Sequence, residues 1–155
     1  MKKIVMGTTI FLCIFLLTGC NNNKEVTVNC TYKATEVGNK YSLEANYVIK
    51  GKGDVAKSVS STEIVTSDDS EILDYFEEYL NDTYENLNET YSGYIYKITR
   101  NDNQITSKVD INYNAMNIEK YIEDNTEMKK YVNSKNKLTI EGLKKLYKEM
   151  GATCK

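Results

Sequence analysis

Histidine is missing from this chain of 155 residues, and so are tryptophan and proline. Without imidazole there is no general base, proton shuttle or metal ligand of that kind, so Ser-His, Cys-His and HExxH mechanisms are excluded. Without tryptophan, the stacking walls of a glycan cleft are hard to build in so small a domain. No low-complexity linker and no internal repeat divides the chain. Paired carboxylates are the remaining acid–base option, but they need two groups about 5–9.5 Å apart, and no spacing here points to such a pair. No enzymatic activity, cofactor or metal is therefore expected. What is plentiful is tyrosine, at 13 residues, together with Asn, Lys and Ile. That bias is typical of an AT-rich coding sequence and suggests a low-GC Gram-positive source.

Long apolar runs are also scarce. The one at the N-terminus follows Met1-Lys2-Lys3, runs from Ile4 to Leu17 and stops at Leu17-Thr18-Gly19-Cys20, with Asn21-Asn22-Asn23-Lys24 directly behind it. A spanning helix needs about 20 apolar residues, so this run is short for an anchor and has the layout of a cleaved leader. Small residues before a cysteine at its end form a lipobox, with cleavage between Gly19 and Cys20 and lipidation of Cys20. Two acyl chains on Cys20 suffice for stable anchoring when each buried methylene contributes about 0.8 kcal/mol. The expected organisation is a signal peptide at 1–19, a lipidated cysteine and polar tether at 20–24, and one domain at 25–155. The protein is expected on the extracytoplasmic face of the cell membrane, held there by the lipid.

Removing the leader takes Lys2 and Lys3, which leaves 18 of 20 basic residues against 22 acidic ones, a formal charge of −4. That balance offers nothing to nucleic acid or to anionic lipid headgroups. It also takes Cys13 and consumes the thiol of Cys20, leaving Cys30 and Cys154. An even pair outside the cell is expected to form a disulfide. The alternative is a small buried Cys30 and a loose terminal Cys154 thiol.

Hydrophobic periodicity gives the elements. Val26, Val28, Cys30 and Tyr32 alternate with polar residues, as do Tyr41, Leu43, Ala45, Tyr47 and Ile49 after the Gly38-Asn39 turn, and these read as a hairpin. Val55–Val65 reads as a third strand. The period then lengthens: Ile72, Leu73, Phe76, Tyr79, Leu80, Tyr84, Leu87 and Tyr91 form the stripe of an amphipathic helix, capped by Asp68 with Glu71 and stopped by Gly93. Segments 94–99 and 105–111 read as a second hairpin, 114–121 as a short helical turn, and 124–136 as irregular. A last helix begins at Thr139, buries Ile140, Leu143, Leu146, Tyr147 and Met150, and ends at Gly151. The fold class is α+β: a mostly antiparallel sheet with a central amphipathic helix and a C-terminal helix packed on one face.

With Leu17–Cys20, Cys30-Thr31-Tyr32-Lys33, Tyr91-Ser92-Gly93-Tyr94 and Lys137-Leu138-Thr139 in this order, the chain resembles the YehR-like small bacterial lipoproteins, a family defined as a domain of unknown function. The ending Met150-Gly151-Ala152-Thr153-Cys154 suggests a Gram-positive branch of it. The resemblance implies an α+β fold and lipid anchoring, and it implies no activity or catalytic residues.

Surface candidates follow from chemistry alone. The helix carries an acidic face of Asp74, Glu77, Glu78, Asp82 and Glu85, which is expected to be simply solvated. Asp68-Asp69-Ser70-Glu71 and Asn101-Asp102-Asn103 lack the ligand pattern of a calcium loop and read as a cap and a turn. Among the tyrosines, Tyr75, Tyr91, Tyr94, Tyr96 and Tyr113 could offer aromatic area with a hydroxyl handle, and a partner surface is expected at Tyr75, Tyr94 and Tyr96. The function expected is a non-enzymatic envelope binding or structural module meeting an unknown envelope protein or ligand. A second reading is a small-ligand carrier or accessory subunit of a membrane complex, needing a pocket of about 300 Å³ or more between sheet and helix. A third is a hydrolase working with carboxylates alone.

Overall fold

The computed structural model describes residues 24–36, 38 and 40–155. The leader, the Gly19/Cys20 cleavage point and most of the tether lie outside the described residues.

Strands β1 (Glu25–Glu36), β2 (Tyr41–Lys52) and β3 (Val55–Thr66) precede helix α1 (Ser70–Thr90). Strands β4 (Tyr94–Asn101) and β5 (Gln104–Asn112) follow, then α2 (Ile118–Asp124), a 3₁₀ helix (Thr126–Tyr131), α3 (Ile140–Glu149) and the two-residue β6 (Thr153–Cys154). All pairings are antiparallel, in the order β4-β5-β3-β2-β1-β6. The segment expected to be irregular therefore holds a 3₁₀ helix, whose Met128 and Tyr131 are buried. No described helix is long and apolar enough to cross a membrane.

Register shows why one face is dry. Cys30 pairs with Tyr47, Tyr47 with Ser61, Ser61 with Val109 and Val109 with Tyr96, so these residues form one row across five strands. Side chains two residues away along each strand share that face, which collects Val28, Ile49, Val59, Val65, Ile105 and Tyr94, all buried. The opposite face carries Thr27, Asn29, Thr31, Lys33, Asn46, Lys97, Lys108 and Asp110, all exposed. An antiparallel sheet with one solvated face needs only this alternation. A register irregularity between Lys50 and Gly51 shifts the parity of β3, which is how Ala56 and Val59 can both turn inward. Gly51 is required there, because a Cβ would collide with the Val55 carbonyl and the Ile140 side chain.

Helices α1 and α3 lie on the dry face. α1 is capped by Asp69 and not by Asp68: its carboxylate accepts from the Glu71 amide at 3.0 Å. Buried Ser67 sets this start by accepting from the Asp69 amide while donating to the Lys40 carbonyl. Leu73 and Leu80 form its buried line, but Tyr79, expected on the stripe, is 54% exposed. One residue is about 100° of helical rotation, enough to carry Tyr79 off the Leu73–Leu80 line. The helix stops at Tyr91, and Gly93 (φ +95°) turns the chain into β4.

α3 is capped as expected by Thr139, whose hydroxyl accepts from the Gly142 amide at 2.9 Å. Ile140, Leu143 and Tyr147 are buried, and Tyr147 stacks on Tyr47 with ring centroids 4.2 Å apart. Met150 is 54% exposed, contrary to expectation, because the helix is already closing there. The Gly151 amide donates to the Lys148 carbonyl and the Ala152 amide to the Tyr147 carbonyl, a Schellman ending. That turn lays Thr153 and Cys154 antiparallel to β1, with Cys154 directly opposite Cys30, and the two are disulfide-bonded.

Candidate functional site

Between the sheet and α1 the dry face is not fully covered. A cleft of about 200 Å³ opens there, bounded by β1–β3 and the middle of α1. Its chemistry centres on Glu63. Strand β3 reads Val59, Ser61, Glu63, Val65 on the inward parity, so the register that buries the two valines also turns a carboxylate inward. Ser107, fully buried between Ile105 and Val109 on β5, lies opposite Glu63 and donates to its Oε2 at 3.3 Å. Tyr84 reaches down from α1 and donates to the same oxygen at 2.9 Å.

The tyrosines around this carboxylate are held neutral. Burial first, then the negative charge of Glu63, pushes the Tyr84 hydroxyl far above its ordinary value, and Tyr47 is displaced upward by the same two causes in the same order. The cleft walls above Glu63 are aromatic and aliphatic, with Tyr32, Leu43, Tyr47, Phe76, Tyr79 and Leu80. Tyr79 stacks on Tyr75, ring centroids 6.2 Å apart, and Tyr75 is 62% exposed.

The sequence did not single out Glu63. Its signal was available: an acidic residue at odd parity with Val59 and Val65 in a strand otherwise rich in β-branched residues. Tyr75 stands on the surface as expected, beside the cleft mouth. Tyr94 and Tyr96, expected at a partner surface, both have the inward parity of β4: Tyr94 is buried, and Tyr96 is half-buried against Tyr84, centroids 6.1 Å apart. The outward residue between them is Ile95, 70% exposed. Tyr91 and Tyr113 are core residues too, and the Tyr91 hydroxyl donates to Asp124 at 2.9 Å.

The acidic face of α1 is only partly solvated. Arg100, the single arginine of the chain, stands on the inward parity of β4 and pairs with Asp74 at 2.5 Å and Glu77 at 2.8 Å. These pairs clip the first turns of the helix to the sheet edge. Among the described residues no three acidic or cysteine side chains are grouped to hold a metal ion.

The arrangement defines an α+β domain with one solvated sheet face and, between the sheet and α1, a cleft that holds a carboxylate. No family model matches the chain, and neither does any curated protein. Among solved structures it is similar to the NMR structure of E. coli YehR, at TM-score 0.51 and 19% identity over 85% of this chain and 91% of that one. It is also similar to the NMR structure of a protein from Streptococcus pneumoniae TIGR4, at TM-score 0.46 and 12% identity over 99% of each chain. The first likeness establishes a shared fold with YehR.

Proposed function

We propose that this chain is a lipid-anchored module of the bacterial envelope, a relative of the YehR-like small lipoproteins, that binds a ligand or partner on the extracytoplasmic side and does no chemistry on it. The observation that carries the reading is the Cys30–Cys154 bond. Disulfides persist in oxidising compartments and are rare inside the cell, and this one agrees with the address written in Leu17-Thr18-Gly19-Cys20. The two ends it joins are 124 residues apart in sequence, and closing such a loop contributes about 4–5 kcal/mol in the chain-entropy model. The shared fold with YehR supports the family reading.

The Glu63 cleft itself suits binding better than carriage. At about 200 Å³ it falls below the size of a pocket that encloses a drug-sized molecule, which begins near ~300 Å³. A short ligand, held partly in solvent, suits it better.

Metabolic labelling with an alkyne fatty acid tests the anchoring. Wild-type protein is expected to carry the label in the membrane fraction, and Cys20→Ala to carry none. An unlabelled wild type, or a label that survives Cys20→Ala, contradicts the proposal. Cross-linking on intact cells with the same pair tests the partner: neighbours captured only with the lipidated form support a membrane-surface role.

A further inference from the structure

The geometry points to the Glu63 cleft as a binding site for a small organic cation, an ammonium group on a short apolar or aromatic body. This deepens the binding-module reading and rests on it. Glu63 is a half-buried carboxylate in an apolar cleft, yet none of the ion pairs among the described residues includes it. The arginine that shares this face is engaged elsewhere, Arg100 by Asp74 and Glu77. The groups that do reach Oε2, the Tyr84 and Ser107 hydroxyls, orient the carboxylate without neutralising it. A charge withdrawn from water is costly unless matched, and a ligand cation would match it.

The walls are suited to the same ligand. Tyr47, Phe76 and Tyr79 line the cleft with Tyr32, and ring faces attract ammonium groups within about 6 Å of their centroids. Leu43 and Leu80 take the apolar body. A bare metal ion fits poorly, since a calcium-like ion asks for about six to eight oxygen ligands and this cleft offers one carboxylate among hydrocarbon. An anion meets Glu63 and is repelled. The volume, about 200 Å³, holds roughly seven waters at ~30 Å³ each, which admits a compact amine and no folded peptide.

Calorimetric titration of the full-length protein in lipid nanodiscs with three probes of one shape decides the matter: phenylethylammonium, 2-phenylethanol and phenylacetate. The cation is expected to bind at millimolar concentration or below, the alcohol at least about tenfold more weakly, and the anion not at all. Glu63→Gln keeps an acceptor for Tyr84 and Ser107 and is expected to erase the preference for the cation over the alcohol. Tyr79→Ala removes an exposed wall that the fold does not need and is expected to weaken the cation several-fold, which keeps the test open if Glu63→Gln fails to fold. Equal binding of cation and alcohol, a preference that survives Glu63→Gln, or no binding of the cation at millimolar concentration overturns the inference. Each of these leaves the fatty-acid label on Cys20 untouched, so failure here is distinguishable from failure of the anchoring proposal.

Discussion

The two halves of the helical face are built differently. Over β1, β2 and the Val59 end of β3, α3 and the segment leading into it bury Leu138 and Leu143 against Cys30, Ile49 and Val59, and the disulfide ties the same corner. Over the Val65 end of β3 and its neighbour β5, the first turns of α1 bury only Leu73 and Leu80, against Val65 and Ile105. Leu43, Phe76 and Ile98 pack against them only partly buried, and polar pairs complete the attachment: Arg100 with Asp74 and Glu77, Tyr84 with Glu63. Apolar burial contributes about 25 cal/mol per Å², whereas solvent-screened pairs add little. The α3 half should therefore open only with the whole domain, and the first turns of α1 before it. The cleft lies where the two halves meet, walled by Phe76, Tyr79 and Leu80 on the α1 side and by Tyr32 and Tyr47 on the other.

Breaking the disulfide should have the largest effect. Cys154→Ser, or reductant on the native protein, is expected to lower unfolding free energy by about 4–5 kcal/mol, read as a drop in the denaturant midpoint. A midpoint unchanged by reductant would mean that the closed corner adds nothing to the α3 half. Core truncations come next and discriminate between the halves. Leu143→Ala and Leu73→Ala each remove a fully buried leucine, at a cost of about 2–5 kcal/mol. Amide exchange separates them: Leu143→Ala should speed exchange throughout the sheet, and Leu73→Ala chiefly in residues 70–80. Identical exchange maps would erase the distinction.

Alkali probes both halves at once. Burial lifts the hydroxyls of Tyr94, Tyr113, Tyr121 and Tyr147 in the larger cluster, and of Tyr47 and Tyr84 beside Glu63, above the ordinary tyrosine value. Folded values above the unfolded one mean that these phenols support the fold fully below about pH 10. That support is lost as pH rises from there through the folded values. Tyrosinate absorbance from this set should therefore appear together with loss of circular dichroism. Ionisation of these phenols near pH 10 with the fold intact would contradict their burial. Arg100→Met should act least: a small stability loss that shrinks with added salt, with faster exchange confined to the start of α1.

How much of this could be read from the residues depends on the kind of signal. Alternation in β1 and β2, the three- and four-residue spacing of α1 and the Thr139 cap of α3 are local patterns, and each element formed where they placed it. The Cys30–Cys154 pairing is legible from the thiols left once the expected leader and lipidated cysteine are set aside, although its geometry needed the Schellman turn at Gly151. Parity decided the errors. Tyr94 and Tyr96 share one parity in β4, so they turn inward together and leave Ile95 outside. The inward parity of Glu63 is legible in β3, but its role is not, because a carboxylate on a buried face makes sense only once Tyr84 arrives from another element. The clip of Arg100 on Asp74 and Glu77 is likewise long-range, and so the acidic face of α1 looked merely solvated.

The central claim is that the site lies where the two halves meet, with Phe76, Tyr79 and Leu80 of α1 on one side and Tyr32 and Tyr47 on the other. Backbone amide shifts of the full-length protein during titration with phenylethylammonium test it most directly. The account predicts shifts that saturate together and cluster at Tyr32, residues 43–47, residues 63–65 and residues 76–80, with residues 140–145 unmoved. Shifts centred on α3, or scattered over the solvated face of the sheet, would contradict it.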